Sequence, residues 1–242
     1  MVDKPGRRKR SSFPWGKVAA VIVAVVVIVA AGWYIYSTFI YTPPPVFAKL
    51  GTSDGYFYVE LYPSCAPNTV SNFESLANSG FYNDLVWHRV IPGFVIQTGD
   101  NNTRGGLNST RSTWGSGGSG KTVPLEICGW LHNYAGYLGM ARQGNQTYGL
   151  DTGTSQFYIL LDNQTSTTFS ALDGYYTIFG KVISGMSVVC DLANNKTDPV
   201  YPSSATPSYL PTQPIIPAKA MLDNVTIIPA SEAPAAQTIA GC

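Results

Sequence analysis

The stretch "FYNDLVWHRVIPGFVIQTGD" (residues 81–100) has the pattern of two short strands separated by a turn at Pro92-Gly93. Its one guanidinium group, that of Arg89, stands in an apolar setting. The apolar residues around it are Trp87, Val90, Ile91, Phe94, Val95 and Ile96. An arginine at such a place either extends to solvent at one end of a barrel or serves a function, and the pattern alone leaves both interpretations open.

Side chains alternate between the two faces of a strand. Alternation therefore predicts that Trp87, Arg89 and Ile91 share one face. His88 and Val90 are then expected on the opposite face. The first strand of the pair is predicted to carry its single guanidinium group on one side of the sheet.

The rest of the chain after residue 45 reads as short strands and two helices. Residues 46–62 have the pattern of a hairpin, and residues 220–229 that of a further strand. The apolar spacing over residues 66–80 predicts one helix, and a second is expected near residues 185–195. Many short strands with two helices indicate a mainly β protein with a closed or nearly closed antiparallel sheet.

The N-terminal part of the chain predicts a membrane anchor. Val18 to Ile40 is a run of 23 residues without a formal charge, long enough to cross a bilayer as a helix. Residues 1–17 hold six of the fifteen Lys and Arg residues, which places this basic segment in the cytoplasm by the positive-inside rule. A cleaved signal peptide with a site near Ala30-Ala31 is the alternative.

The remaining segments follow from composition. Residues 41–45, "YTPPP", form a proline-rich spacer, residues 46–230 form the main domain, and residues 231–242 are predicted as a C-terminal tail. Residues 41–242 hold nine Lys and Arg against thirteen Asp and Glu, a net charge of −4. This acidic balance argues against a nucleic-acid partner.

Two further features favour an extracytoplasmic domain. Six Asn-x-Ser/Thr sequons, all beyond the apolar segment, are possible N-glycan acceptors: Asn101, Asn108, Asn145, Asn163, Asn195 and Asn224. The four cysteines lack the spacing of metal ligands, so no metal site is expected: Cys65, Cys128, Cys190 and Cys242. They can form disulfides in an oxidising compartment, and the sequence leaves their pairing open.

Two hydrolytic interpretations fail on the residues available. "DTG" (151–153) resembles an aspartic protease loop, but that chemistry needs a second carboxylate and the chain has only one such motif. A serine hydrolase is disfavoured because "GSGGSG" (115–120) is not a nucleophile elbow. The chain also has only two histidines, His88 and His132.

Residues 81–100 resemble the signature of the cyclophilin family of peptidyl-prolyl isomerases, in which an aromatic residue precedes H-R-V-I-P-G-F and Q-x-G-D follows. The resemblance continues in order through "GSGG" (115–118), "TSQFYI" (154–159) and "LDGYYTIFGKVISGM" (172–186), and spans about residues 46–228. It implies an eight-stranded antiparallel closed β-barrel capped by two α-helices. One N-terminal transmembrane helix would precede this barrel.

The resemblance implies that Arg89 and Gln97 carry the catalysis. Arg89 would donate a hydrogen bond to the prolyl nitrogen of a twisted X–Pro amide, and Gln97 would orient Arg89 and bind the substrate backbone. It also implies a set of substrate-binding residues: Phe94, Val95, Ala141, Arg142, Gln156, Phe157, Tyr158, Leu172 and Tyr176. Neither a cofactor nor a metal is implied.

The expected function is isomerisation of X–Pro bonds in exported or surface proteins, with proline-containing polypeptides as partners. A non-catalytic binding or chaperone module at the cell surface is the alternative, motivated by unusual residues at the pocket rim, Ala171 and Tyr176. A structural role as a glycosylated surface spacer is a third hypothesis. Peptide binding and peptide exchange distinguish the three.

Overall fold

A computed structural model describes residues 14–37, 42–106, 109, 111–143, 149–163, 172–194 and 220–242. The chain divides into two compact units, Met1–Pro43 and Pro44–Cys242. In the first unit, α1 spans Trp15–Ile35, and none of its residues is buried. This helix is long and apolar enough to cross a membrane, and a signal sequence near the N-terminus meets the same criterion. The predicted end of the span, residues 38–40, lies outside the described residues.

The second unit contains nine strands and two α-helices among its described residues. The strands are β1 (Val46–Thr52), β2 (Gly55–Leu61), β3 (Leu85–Val86), β4 (Arg89–Ile91), β5 (Val95–Thr98), β6 (Tyr137–Met140), β7 (Phe157–Leu160), β8 (Ile178–Ser184) and β9 (Met221–Ile228). The helices are α2 (Pro67–Asn78) and α3 (Met186–Asn194). The prediction of a mainly β protein with helices is confirmed.

All nine strands belong to one antiparallel sheet with the order β3-β9-β1-β2-β8-β6-β7-β5-β4. The prediction of eight strands in a closed barrel is not confirmed. Nine strands are described, and β3 and β4 stand at opposite ends of the order with no ladder between them. Only two residues, 87 and 88, separate these strands in the chain. The sheet must therefore curl so that its two edge strands lie near each other.

The extra strand arises because the predicted first strand of the pair changes partner at Trp87 and His88. Before this point β3 pairs with β9, and the amide of Trp87 donates to the carbonyl of Ala220 at 3.0 Å. After it, β4 pairs with β5. Because residues 87–88 are not in a strand, the predicted alternation is wrong at Trp87, whose indole lies in the same core cluster as Val90.

The core is formed by large aromatic side chains from the sheet and from α2. The ring of Phe73 on α2 lies 5.5 Å from those of Phe157 and Phe179, centroid to centroid, and 5.1 Å from that of Tyr82. Trp87 packs at 5.9 Å from Phe157. Edge-to-face and tilted pairs of this kind add to the free energy gained from area burial alone. We call these five residues the aromatic core.

Residues 231–242, predicted as a tail, pack against the rest of the second unit. The amide of Gln237 donates to the carbonyl of Ile183 at 2.8 Å, and the amide of Cys242 donates to the carbonyl of Leu161 at 2.6 Å. A disulfide joins Cys242 to Cys190 in α3, and a second joins Cys65 to Cys128. The compact unit thus extends to the last residue.

The candidate glycan acceptors are divided between described and undescribed segments. Asn101, Asn163 and Asn224 are exposed. Asn108, Asn145 and Asn195 lie outside the described residues, as does Ala171 of the predicted pocket rim.

Candidate active site

Arg89 is positioned by the register of three adjacent strands. Arg89 on β4 faces Gln97 on β5, and Gln97 faces Tyr158 on β7. The three residues therefore form one row across the sheet. The tight turn after β4 contains Gly93 at φ +69°, a conformation that glycine adopts without strain.

A chain of side-chain hydrogen bonds leads away from Arg89. Arg89 Nη1 donates to Gln97 Oε1 at 3.1 Å, and Gln97 Nε2 donates to Gln156 Oε1 at 2.8 Å. Gln156 Nε2 donates in turn to the carbonyl oxygens of Gly115 and Gly117, at 3.0 and 2.7 Å. Each amide is thereby fixed in one orientation, and the guanidinium group is held at one end of the chain.

The glycine loop at the end of this chain is anchored by Asp100. This carboxylate is fully buried and accepts hydrogen bonds from the amides of Asn102 and Gly115. Gly117 has no room for a side chain, because an added Cβ would collide with Asp100 and Asn101. The close approach of the loop to the segment that follows β5 thus requires glycine.

The guanidinium group of Arg89 is half-buried beside the ring of Phe94, with 5.9 Å between its central carbon and the ring centroid. Burial lowers the pKa of Arg89, and Tyr176 opposes this shift. Arginine stays protonated in proteins because its ordinary pKa is above about 12. No carboxylate of the described residues lies within 4.0 Å of this guanidinium group.

An apolar cluster lies beside Arg89, separate from the aromatic core. Its buried members are Ile91, Val95, Tyr158 and Leu160, and partly buried residues packed against them include Phe94, Ala141, Leu172 and Tyr176. The structure therefore brings together six of the predicted substrate-binding residues. We call this set the pocket cluster.

Phe157 is not part of the pocket cluster, and its prediction as a substrate-binding residue is corrected. Its side chain is fully buried in the aromatic core, with Phe73 and Trp87 at ring distance. Adjacent residues of a strand point to opposite faces. Because Tyr158 faces the pocket cluster, Phe157 must face the core.

The two remaining predicted residues, Arg142 and Gln156, lie beyond the cluster. Both line an open pocket of about 360 Å³ that also contacts Gln97. The residues predicted from the sequence thus fall into two adjoining groups, the apolar pocket cluster beside Arg89 and the lining of a polar pocket beside Gln156. No group of three or more metal-ligating side chains occurs among the described residues.

Three comparisons with known proteins identify the family. The family model described as "Cyclophilin type peptidyl-prolyl cis-trans isomerase/CLD" matches residues 47–214, more than half of the chain. The chain belongs to the cyclophilin-type peptidyl-prolyl cis-trans isomerases. It is 45% identical over 136 residues to peptidyl-prolyl cis-trans isomerase B of Bacillus subtilis, covering 56% of this chain and 81% of that protein.

Other relatives of this isomerase include eukaryotic proteins. Peptidyl-prolyl cis-trans isomerase-like 1 of Aspergillus oryzae is 43% identical over 151 residues, covering 61% of this chain and 81% of that protein. A crystal structure of a Cryptosporidium parvum cyclophilin type isomerase, determined in the presence of the dipeptide Ala-Pro, aligns with a TM-score of 0.58 at 27% identity. That alignment covers 76% of this chain and 99% of the other.

The isomerase contains a polar network that the sequence did not reveal. The hydroxyl of Tyr158 donates to Asn133 Oδ1 at 3.0 Å, and Asn133 Nδ2 donates to Asp173 Oδ1 at 2.5 Å. Asp173 Oδ2 lies 2.6 Å from His132 Nδ1. The sequence offers one signal for this network. A tyrosine that is expected to be buried, such as Tyr158, needs a hydrogen-bond acceptor for its hydroxyl group. The network ties the wall of the pocket cluster to the loop that carries Leu172.

Electrostatics keep the groups of this network in defined protonation states. Burial raises the pKa of Tyr158, so its hydroxyl remains neutral and donates. Burial also raises the pKa of Asp173, but hydrogen bonds from Asn133 and His132 outweigh this and hold it below its usual range. The carboxylate is therefore ionised at neutral pH and accepts from both neighbours.

Proposed function

We propose that Arg89 is the catalytic residue of this isomerase. The barrier to X–Pro rotation, about 18–20 kcal/mol, comes from amide resonance. At the half-rotated geometry the resonance is lost, and the prolyl nitrogen becomes a hydrogen-bond acceptor. A guanidinium group that donates to this nitrogen stabilises the twisted amide more than the planar one, which is what catalysis requires.

The observation that carries this proposal is the restraint on Arg89. Its guanidinium group is held by Gln97 at 3.1 Å at the edge of the pocket cluster, with no described carboxylate to neutralise it. A donor fixed before the substrate arrives loses little further freedom in the transition state. In this proposal Gln97 positions Arg89 and also binds the substrate backbone.

The proline ring would occupy the apolar depression formed by Phe94, Val95, Tyr158, Leu172 and Tyr176. These side chains lie in one cluster beside Arg89 and present no charged group, which supports their role. Ala141, Arg142 and Gln156 would contact the residues that precede the proline, since they line the adjoining polar pocket.

We further propose that the isomerase acts on exported or surface proteins. In this proposal α1 anchors the chain in the membrane with residues 1–17 in the cytoplasm, and the second unit lies outside. The two disulfides support an oxidising compartment, and the three exposed sequon asparagines are accessible to glycans. Protease added to intact cells should degrade the second unit, and its full protection would contradict this orientation.

The catalytic proposal is tested by exchange NMR on a proline-containing peptide with the full chain in detergent micelles. Arg89→Ala should lower kcat/KM by about 100-fold, the usual cost of one lost transition-state donor. Arg89→Lys is the matched control and should retain part of the activity, because it keeps the charge but loses the planar fork. Equal rates for wild type and Arg89→Ala would refute the role of Arg89. Peptide shifts without exchange in the wild type would instead indicate a binding module.

A further inference from the structure

The polar pocket beside Gln156 has an unusual lining. Most of its wall consists of neutral groups, including the backbone of the glycine loop at Gly115 and Gly117 and the side chain of Thr154. Arg142 is the one charged residue among the described residues that line it. The described part of the pocket wall therefore offers a cation and hydrogen-bond partners without a competing anion.

The guanidinium group of Arg142 is fixed by the loop that follows Leu172. Its Nε donates to the carbonyl of Tyr175 at 2.6 Å, and its Nη1 donates to that of Gln143 at 3.1 Å. It also lies over the ring of Tyr176, with 5.0 Å between its central carbon and the ring centroid. Carbonyl and ring contacts orient the guanidinium group, but they leave its positive charge uncompensated.

Two carboxylates in segments that border Arg142 or its pocket are engaged elsewhere. Asp151 Oδ1 accepts a hydrogen bond from the amide of Leu125 at 2.7 Å. Asp173 is occupied by His132 and Asn133. No carboxylate of the described residues lies within 4.0 Å of the Arg142 guanidinium group. Arg142 and Arg89 thus both lack an ion-pair partner among the described residues, although residues 41–242 carry a net charge of −4.

We propose, on the basis of the proposed isomerase function, that Arg142 makes this enzyme favour substrates with a glutamate or aspartate in the two residues before the proline. A carboxylate in the polar pocket would accept from the nitrogens of Arg142 that the two carbonyls leave free. A planar guanidinium group suits this partner because its parallel N–H groups match a carboxylate in bidentate geometry.

The expected size of the preference is modest. The pocket is open to solvent, and partly exposed ion pairs are screened by water and salt. We expect a glutamate peptide to have a kcat/KM about fivefold above that of its isosteric glutamine counterpart, as for a partly exposed charge pair. A lysine peptide should fall below the glutamine peptide because of repulsion.

The test is a substrate series measured by exchange NMR with the full chain in detergent micelles. The peptides carry Glu, Gln or Lys at each of the two positions before proline, with alanine at the other position. Each is measured with wild type, Arg142→Gln and the charge-conserving control Arg142→Lys. The decisive quantity is the ratio of kcat/KM for Glu and Gln peptides within one enzyme, because it does not depend on the absolute activity of a variant.

At one of the two positions, the ratio should be about five in the wild type, fall to about one in Arg142→Gln, and stay above one in Arg142→Lys. A wild-type ratio of one at both positions, with exchange still catalysed, would overturn the acidic preference and leave the isomerase function intact. A ratio that persists in Arg142→Gln would overturn the assignment to Arg142. Absence of exchange with every peptide would refute the proposed function itself.

Discussion

The two faces of the segment 156–160 differ in chemistry although they alternate residue by residue. Phe157 and Ile159 point into the core and are fully buried among apolar side chains. Gln156 and Tyr158 point the other way, into hydrogen-bond networks that reach the glycine loop and Asn133. One face contributes stability through close packing. The other face holds side chains in fixed orientations, which requires polar partners as well as burial.

The largest expected effect on the free energy of unfolding comes from a substitution on the core face. Phe157→Ala should lower the free energy of unfolding by about 3–5 kcal/mol, because it leaves a cavity among the surrounding rings. Phe157→Leu is the matched control and should cost less, since it keeps much of the apolar volume. Chemical denaturation monitored by tryptophan fluorescence gives both values. A loss below about 1 kcal/mol for the alanine variant would contradict the packing of Phe157 in the core.

A second effect concerns His88, which precedes Arg89 in the chain and lies outside segment 156–160. The His88 ring is buried, and neither nitrogen makes a hydrogen bond of ordinary geometry with the described residues. Burial is the main cause that lowers the pKa of His88 from 6.5 to about 4, although Asp100, the Val86 carbonyl and Gln156 favour the protonated ring.

This shift makes the stability of the protein pH-dependent. Between pH 6.5 and about 4 the unfolded chain binds a proton at His88 that the folded chain does not, so stability falls as the pH falls. The loss should approach about 3 kcal/mol at the lower limit, from the free energy of a pKa shift of this size. His88→Gln removes this titration, and denaturation curves over the same range should then show a shallower fall. An unchanged slope in His88→Gln would exclude His88 as the source.

The smallest expected effect on the free energy of unfolding comes from the hydrogen bond between Tyr158 and Asn133. Tyr158→Phe should cost about 1 kcal/mol of unfolding free energy, because it leaves Asn133 Oδ1 without its donor. A double-mutant cycle with Asn133→Ala should give a coupling energy of similar size, about 1 kcal/mol, for this hydrogen bond. Additive losses would show that the two side chains do not interact in solution.

Local sequence patterns predicted much of the fold and of the site. Arg89 and Gln97 were identified within one short stretch, and the structure joins them directly at 3.1 Å. The apolar face of α2 was also predicted, and Val70, Phe73 and Ala77 are buried as expected. The helix prediction succeeded because side-chain periodicity is set by backbone geometry within a few residues, whereas Arg89 and Gln97 came from the family motif and their catalytic role stays a prediction.

Other features depended on residues far apart in the chain. The change of strand partner at Trp87 is set by β9, more than 130 residues later, and no local pattern contains that information. The position of residues 231–242 depends on Cys190 and Leu161. The wrong prediction for Phe157 did not depend on distant residues. Alternation along the strand already places Phe157 on the face opposite to Tyr158, and therefore in the core.

The sequence by itself determined the family, the apolar N-terminal segment and which side chains form the proposed site at Arg89 and Gln97, since each is written in contiguous motifs. Only the tertiary structure decided what surrounds those residues. It separated the aromatic core from the pocket cluster and supplied Asn133 and Asp173 behind Tyr158. It also left Arg142 without an acidic partner in the part of the chain that the structure describes. Motifs specify which side chains are present, whereas burial, partner atoms and charge compensation arise from segments that meet only when the sheet curls.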